Sequence, residues 1–167
     1  SMDAKEWRYG KLLINYYLDN SNFSEAVKAA QQYVRNFPQN YIISMLMAKA
    51  LLYNSQFEAA GKILTSTRIL PYEGATESRS LYREAWLMQA VAAIGNGKYK
   101  NAMSKIATAR TWPENLGVGK PYDADIDDRL EDYLEGLCFE GMRDSKAAES
   151  KWTEIVSSGG KDDFDNF

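Results

Sequence analysis

Histidine is missing from all 167 residues. The side chain that most often serves as general base near neutral pH, and as the commonest zinc ligand, is therefore unavailable, which removes most hydrolase and zinc readings. Cysteine is almost as scarce: the single Cys138 cannot staple a secreted scaffold. Its setting in the apolar run Leu137-Cys138-Phe139 reads as a small buried hydrophobe rather than a reactive thiol. No stretch approaches the ~18 consecutive apolar residues of a membrane span. The opening SMDAKEWRYG lacks the charged-then-apolar layout of a signal peptide, so a cytoplasmic protein without membrane association is expected. Ser1 reads as a cloning remnant, which leaves open an excised piece of a longer protein. Basic charge is not in excess either: 20 Lys and Arg face 23 Asp and Glu, for a net charge of -3. The basic residues are scattered instead of clustered, so no nucleic-acid partner is expected.

What is present is a repeating helical signal. Trp86 to Pro113 (WLMQAVAAIGNGKYKNAMSKIATARTWP) reads as a helix, a turn at Gly95-Asn96-Gly97, and a second helix opened by Tyr99 and stopped by Pro113. Small residues at Ala90 and Ala102 let the two helices cross closely. An aromatic three residues ahead of an alanine recurs as Phe23 with Ala26, Phe57 with Ala60 and Tyr99 with Ala102, and Ser145 with Ala148 is a degenerate fourth copy. Those alanines are separated by 34, 42 and 46 residues, a period of 34 interrupted by insertions of 0, 8 and 12. A 34-residue period of helical hairpins is the tetratricopeptide spacing.

From Trp7 to Val156 the chain resembles tetratricopeptide repeats. The first copy carries Leu13, Tyr17, Phe23, Ala26 and Pro38, with Ile14 where a small residue is expected. The second carries Ala48, Phe57, Ala60 and Pro71; the third Trp86, Ala90, Ala102 and Pro113, with Ala93 where an aromatic is usual; the fourth Gly136, Phe139, Ala148 and Trp152. The resemblance implies an all-α, right-handed superhelical solenoid of about four helical hairpins with two long inter-repeat insertions. Repeats are expected at about 7–40, 41–72, 77–114 and 125–156 within one domain, followed by an acidic tail over 157–167. Each hairpin alone buries too little, so stability should come from stacked neighbours. The strings from Ile69 to Gly74, Leu81 to Ala85 and Trp112 to Pro121 also resemble the C-terminal repeat region of large bacterial proteins whose N-terminal portions are similar to β-sandwich domains of carbohydrate-processing enzymes. That resemblance implies a helical appendage of a carbohydrate-active protein.

In chain order, helices are expected from Glu6 to Leu18, Ser24 to Asn36, Asn40 to Tyr53 and Phe57 to Leu70, then from near Glu77, and finally from Asp125 to Glu140 and Ser145 to Val156. Pro38 forbids continuation of the second helix. The insertion Pro71 to Thr76 is either loop or an extra turn. The insertion Pro113 to Tyr122 is too rich in Gly and Pro to be helical, and is either functional or draped over the last hairpin. The tail is either disordered or docks Phe164 and Phe167 over an exposed end.

The resemblance places the first helix of each pair on a concave face. It implies partner-binding positions at Arg8, Lys11, Asn15, Ile42, Met45, Lys49, Glu84, Leu87, Val91, Tyr133 and Leu137. Apolar anchors flanked by polar groups suit a helix or an extended peptide; the alternative is that these residues are self-buried. Some members grip a C-terminal carboxylate with Lys, Asn, Asn, Lys and Arg. Here Lys11 and Asn15 match, but Leu46, Glu84 and Met88 do not, and Glu84 would repel a carboxylate, so no such clamp is expected. Gly117-Val118-Gly119-Lys120 lacks the first Gly of a phosphate loop, and Pro121 replaces its Ser or Thr. Asp123, Asp125 and Asp127 begin a calcium-loop spacing, but Asp128 and Leu134 fail to complete it; acids at a helix N-terminus are the better reading. None of the 23 acids stands among the aromatic and polar residues of a sugar site. The sequence therefore reads as a binding scaffold rather than an enzyme, with no metal or cofactor. Its partner is a protein, a peptide or an upstream domain of the same polypeptide, and weak self-association through an apolar patch is compatible with either.

Overall fold

Four residues in the left-handed backbone region mark the four hairpin turns: Ser21 (φ 57°), Ser55 (φ 60°), Gly97 (φ 67°) and Arg143 (φ 65°). They repeat at the same intervals as the four alanines. Immediately after each, the N–H of Asn22, Gln56, Lys98 or Asp144 donates back to the carbonyl of Tyr17, Leu51, Ala93 or Phe139 at 2.8, 2.8, 2.8 and 2.9 Å. This six-to-one closure satisfies a carbonyl that the helix end would otherwise leave without a partner. The computed structural model describes residues 6–71 and 76–157, and over them the fold is all-α. The helices are α1 (Trp7–Asp19), α2 (Phe23–Asn36), α3 (Tyr41–Tyr53), α4 (Phe57–Ser66), α5 (Glu77–Gly95), α6 (Tyr99–Ala109), α7 (Arg129–Gly141) and α8 (Ser145–Ser157).

The helix starts follow from local chemistry. Glu6 caps α1 by accepting from the N–H of Arg8 at 3.2 Å, and Asn40 caps α3 by accepting from Ile42 and Ile43 at 3.1 and 3.3 Å. Helices α2, α4 and α6 have no side-chain cap and open on Phe23, Phe57 and Tyr99. The four repeat alanines Ala26, Ala60, Ala102 and Ala148 are buried at 0 to 1% exposure, as close helix crossing demands. Ile14, which stands where a small residue is expected, is fully buried. The small residue has moved one turn earlier: a Cβ at Gly10 would fall inside the ring of Tyr33 on α2. In the fourth hairpin Gly136 plays that part beneath Trp152.

Two compact units are distinguished: residues 1–86 with 112–120, and residues 87–111 with 121–167. In the first, α1 packs on α2 and α3, and α3 packs on α2 and α4. Ile14, Ala30, Ile43, Ala48, Leu51 and Leu64 form its core, joined by Leu81, Tyr82 and Ala85 of α5. In the second, α7 packs on α6 and α8.

Three expectations need correction. Helix α4 stops at Ser66 instead of Leu70, and α7 starts at Arg129 instead of Asp125. The second insertion is not devoid of helix, since Glu114–Leu116 and Asp123–Asp125 form 3-10 turns. A single strap, residues 112–120, accounts for the first. Asn115 donates its amide to the carbonyls of Leu64 (3.0 Å) and Thr67 (2.7 Å), and its own carbonyl accepts from the N–H of Ile69 at 2.8 Å. These bonds cap the C-terminus of α4 in trans along the chain, so the helix ends where its carbonyls find a partner from elsewhere. Leu116 is fully buried in the first unit's core, and Ser78 of α5 donates to its carbonyl at 2.9 Å. Gly117 (φ 69°) lies against the backbone there; a Cβ would stand 2.8 Å from the Ile69 oxygen. The guanidinium of Arg79 stands 4.4 Å over the ring of Trp112. The expected tail docking and most of the first insertion lie outside the described residues.

Candidate functional site

Helix α1 turns Lys11 and Asn15 to the same side because they are four residues apart, and α3 does the same for Ile42, Met45, Leu46 and Lys49. With α1 and α3 packed together, these side chains line one groove of ≈ 450 Å³, completed by Tyr41 and by Glu77 at the start of α5. Five of the eleven sequence-predicted positions, Lys11, Asn15, Ile42, Met45 and Lys49, thus meet in one place. Met45 is 9% exposed and forms floor rather than rim.

The electrostatics of the groove are uneven. Lys49 Nζ lies 2.9 Å from Glu77 Oε1, and that hydrogen bond holds the Lys49 ammonium above its ordinary pKa. Glu84, a predicted position that does not line the groove, is held above the usual carboxylate range by burial, with the charge of Lys49 acting in the opposite direction. Lys11 is exposed and makes no ion pair among the described residues. The groove therefore presents one free ammonium, one ammonium already answered by a carboxylate, the Asn15 amide and an apolar floor. Converging nucleophile, base and acid are not what these residues provide; a surface that can hold a polar-flanked apolar side chain is.

The remaining predicted positions lie apart from this groove or on the other unit. Arg8 is engaged by Glu6 at 3.0 Å and stacks 4.9 Å over Trp7. Leu87 is buried at 6% exposure, whereas Val91 and Tyr133 are 44% and 49% exposed and Leu137 is half-buried. Sequence reasoning missed Tyr41, Leu46 and Glu77. Glu77 follows an insertion, where a fixed 34-residue count loses register; its only signal is its place as the first residue of α5.

The second unit concentrates charge differently. Arg110 contacts Asp128 (3.0 Å), Asp132 (2.8 Å) and Glu135 (3.3 Å), while Lys151 contacts Asp132 (3.1 Å) and Glu135 (3.0 Å). This network joins α6, α7 and α8. Burial works against the Asp132 charge, yet the hydrogen bonds from Lys151 and Arg110 prevail and hold it below the usual carboxylate range. Cys138 is fully buried, and burial, aided by the charge of Glu135, pushes its thiol up. Of the calcium-like acids, Asp127 accepts from the Arg129 backbone at 3.1 Å and pairs with its guanidinium at 2.8 Å, so it serves the start of α7. Asp123 and Asp125 precede that helix in a 3-10 turn.

Repeating hairpins, closed by equivalent turns and packed through equivalent alanines, place the chain in the all-α, tetratricopeptide-like class of helical-repeat folds. Residues 11–68, which include every groove residue except Glu77, match the family described as tetratricopeptide repeat. Such repeats are in general non-catalytic scaffolds that mediate protein–protein interaction. A comparison with curated proteins gives no match. No helix among the described residues is long and apolar enough to cross a membrane.

Proposed function

We propose that the protein is a non-catalytic interaction module that takes a segment of a protein partner into the groove between α1 and α3. The observation that supports this most is the convergence of Lys11, Asn15, Ile42, Met45, Leu46 and Lys49 on one groove inside the stretch that matches the repeat family. The occupant is a segment that offers an apolar side chain to Ile42 and Leu46 and hydrogen-bond acceptors beside it to Lys11 and Asn15. Recognition of this kind uses a buried anchor for affinity and polar groups around it for register.

Peptides selected from a displayed random library on the intact protein test the reading. Ile42→Asp and Lys11→Glu are expected to weaken selected peptides by about tenfold or more, the loss of roughly 1.4 kcal/mol. Leu12→Glu, on the same helix but 63% exposed and outside the groove lining, is expected to leave them unchanged. Selected peptides that bind the Ile42→Asp protein as well as the parent would place the interaction elsewhere and return the groove to a packed, unoccupied surface.

A further inference from the structure

The strap over residues 112–120 reaches the groove through one turn of helix. Ser78 donates to the Leu116 carbonyl, Arg79 lies over Trp112, and both Ser78 and Arg79 are buried at 3% and 6% exposure. The residue directly before them is Glu77, whose carboxylate holds Lys49 in the groove at 2.9 Å. We propose that the strap is a positioning element for the groove: docked, it fixes the first turn of α5 so that Glu77 neutralises Lys49, and undocked, it releases Lys49 as a second free ammonium beside Lys11. The functional meaning of this step rests on the groove being the binding site; the coupling itself does not.

The parts are suited to such a role. The strap docks through one amide, one buried leucine and one stacked ring, whereas the segment it holds at 67–71 has left the helix and bonds to Asn115 through the Thr67 carbonyl and the Ile69 N–H. Trp112 buries its indole N–H without an acceptor among the described residues, which opposes docking. Lys49 and Glu77 are partly exposed, so their pair is weak and responds to small displacements of the helix that carries Glu77. A strap that ended at α4 would act only as a cap; the bonds to Ser78 and Arg79 extend it to the helix that supplies a groove residue.

Lys49 reports the coupling directly, since only the neutral amine is acylated and the Glu77 bond holds the ammonium form. The full chain is treated briefly with an amine-acylating reagent, and Lys49 modification is measured by mass spectrometry relative to Lys11 in the same molecules. Glu77→Gln is expected to raise that ratio about two- to fivefold, the factor a partly exposed ion pair is worth. Asn115→Ala is expected to raise it to a similar extent, and the two substitutions together no further, because they act on one contact. Gly117→Ala, which presses on the Ile69 backbone from the other side, serves where Asn115→Ala fails to retain its helical circular dichroism. A strap variant that keeps its fold and leaves Lys49 at the parental ratio would overturn the proposal, as would additive effects of Glu77→Gln and Asn115→Ala. No partner is needed for this readout, so a groove that binds nothing and a strap that couples to nothing give different results.

Discussion

At the scale of single residues, the least comfortable positions are the left-handed ones. Ser55 and Arg143 hold φ 60° and 65°, a region that costs an L-residue about 1–2 kcal/mol, while Gly97 occupies the equivalent place without that cost. Ser55→Gly is therefore expected to stabilise the chain by about 0.5–1 kcal/mol, the strain relieved less the entropy that glycine adds to the unfolded chain. Gly97→Ser should lose a similar amount. Urea midpoints of the two variants check this, and a destabilised Ser55→Gly would mean that the serine side chain contributes something the turn geometry does not reveal. Other residues show where a family pattern misleads. Ile14 stands where a small side chain is usual, but the space is recovered by Gly10 under Tyr33, so the hairpin closes through a swapped pair. A consensus read position by position sees the departure and misses the compensation, because the compensation lies one turn earlier on the same helix and is recognised only by the ring of Tyr33 that packs there from α2.

Among the elements, most starts and ends were legible to within a residue, and one of each was missed by four. The aromatic-to-alanine spacing identified the openings of α2, α4 and α6 to within a residue, since Phe23, Phe57 and Tyr99 act locally. The end of α4 was hidden because its cap, Asn115, comes from a loop far along the sequence, and no local pattern encodes it. The start of α7 was anticipated too early because Asp125 and Asp127 both look like first-turn acids, and only Asp127 is spent on the helix. Five of the eleven predicted positions meet in one groove for a related reason: α1 and α3 follow one another without an insertion, so a fixed repeat length sets Lys11, Asn15, Ile42, Met45 and Lys49 on the same side. The ion network of α6, α7 and α8 escaped notice, as it draws on residues from three helices with no shared spacing. Its Asp132 carboxylate has a pKa depressed in the folded state, so it adds stability above the ordinary carboxylate value, near 4, and that contribution is lost as pH falls through the depressed value. Asp132→Asn is expected to cost about 1–2 kcal/mol at neutral pH, with the gap from the parent closing on acidification. Equal gaps at pH 7 and pH 3 in denaturant unfolding would remove Asp132 as the titrating partner.

For the whole molecule, the order of the chain and the order of the units differ. The first unit takes residues 1–86 and then 112–120, with part of the second unit's sequence in between. Leu116, fully buried in the first unit, should therefore report on that unit and not on its sequence neighbours. Leu116→Ala is expected to cost about 2–5 kcal/mol there. Native-state hydrogen exchange should show faster exchange in α4 while protection in α7 and α8 is retained; a uniform loss across all helices would mean that the two units unfold as one.

The strap also has a consequence in time. A chain made from its N-terminus at about 5–20 residues per second exposes the end of α4 several seconds before Asn115 and Leu116 exist to cover it. During that interval the carbonyls of Leu64 and Thr67 face water and the place of Leu116 is open. The nascent first unit is thus complete in its helices before it is complete in its core, and the last piece to arrive must be fetched from beyond the helix that begins the next unit.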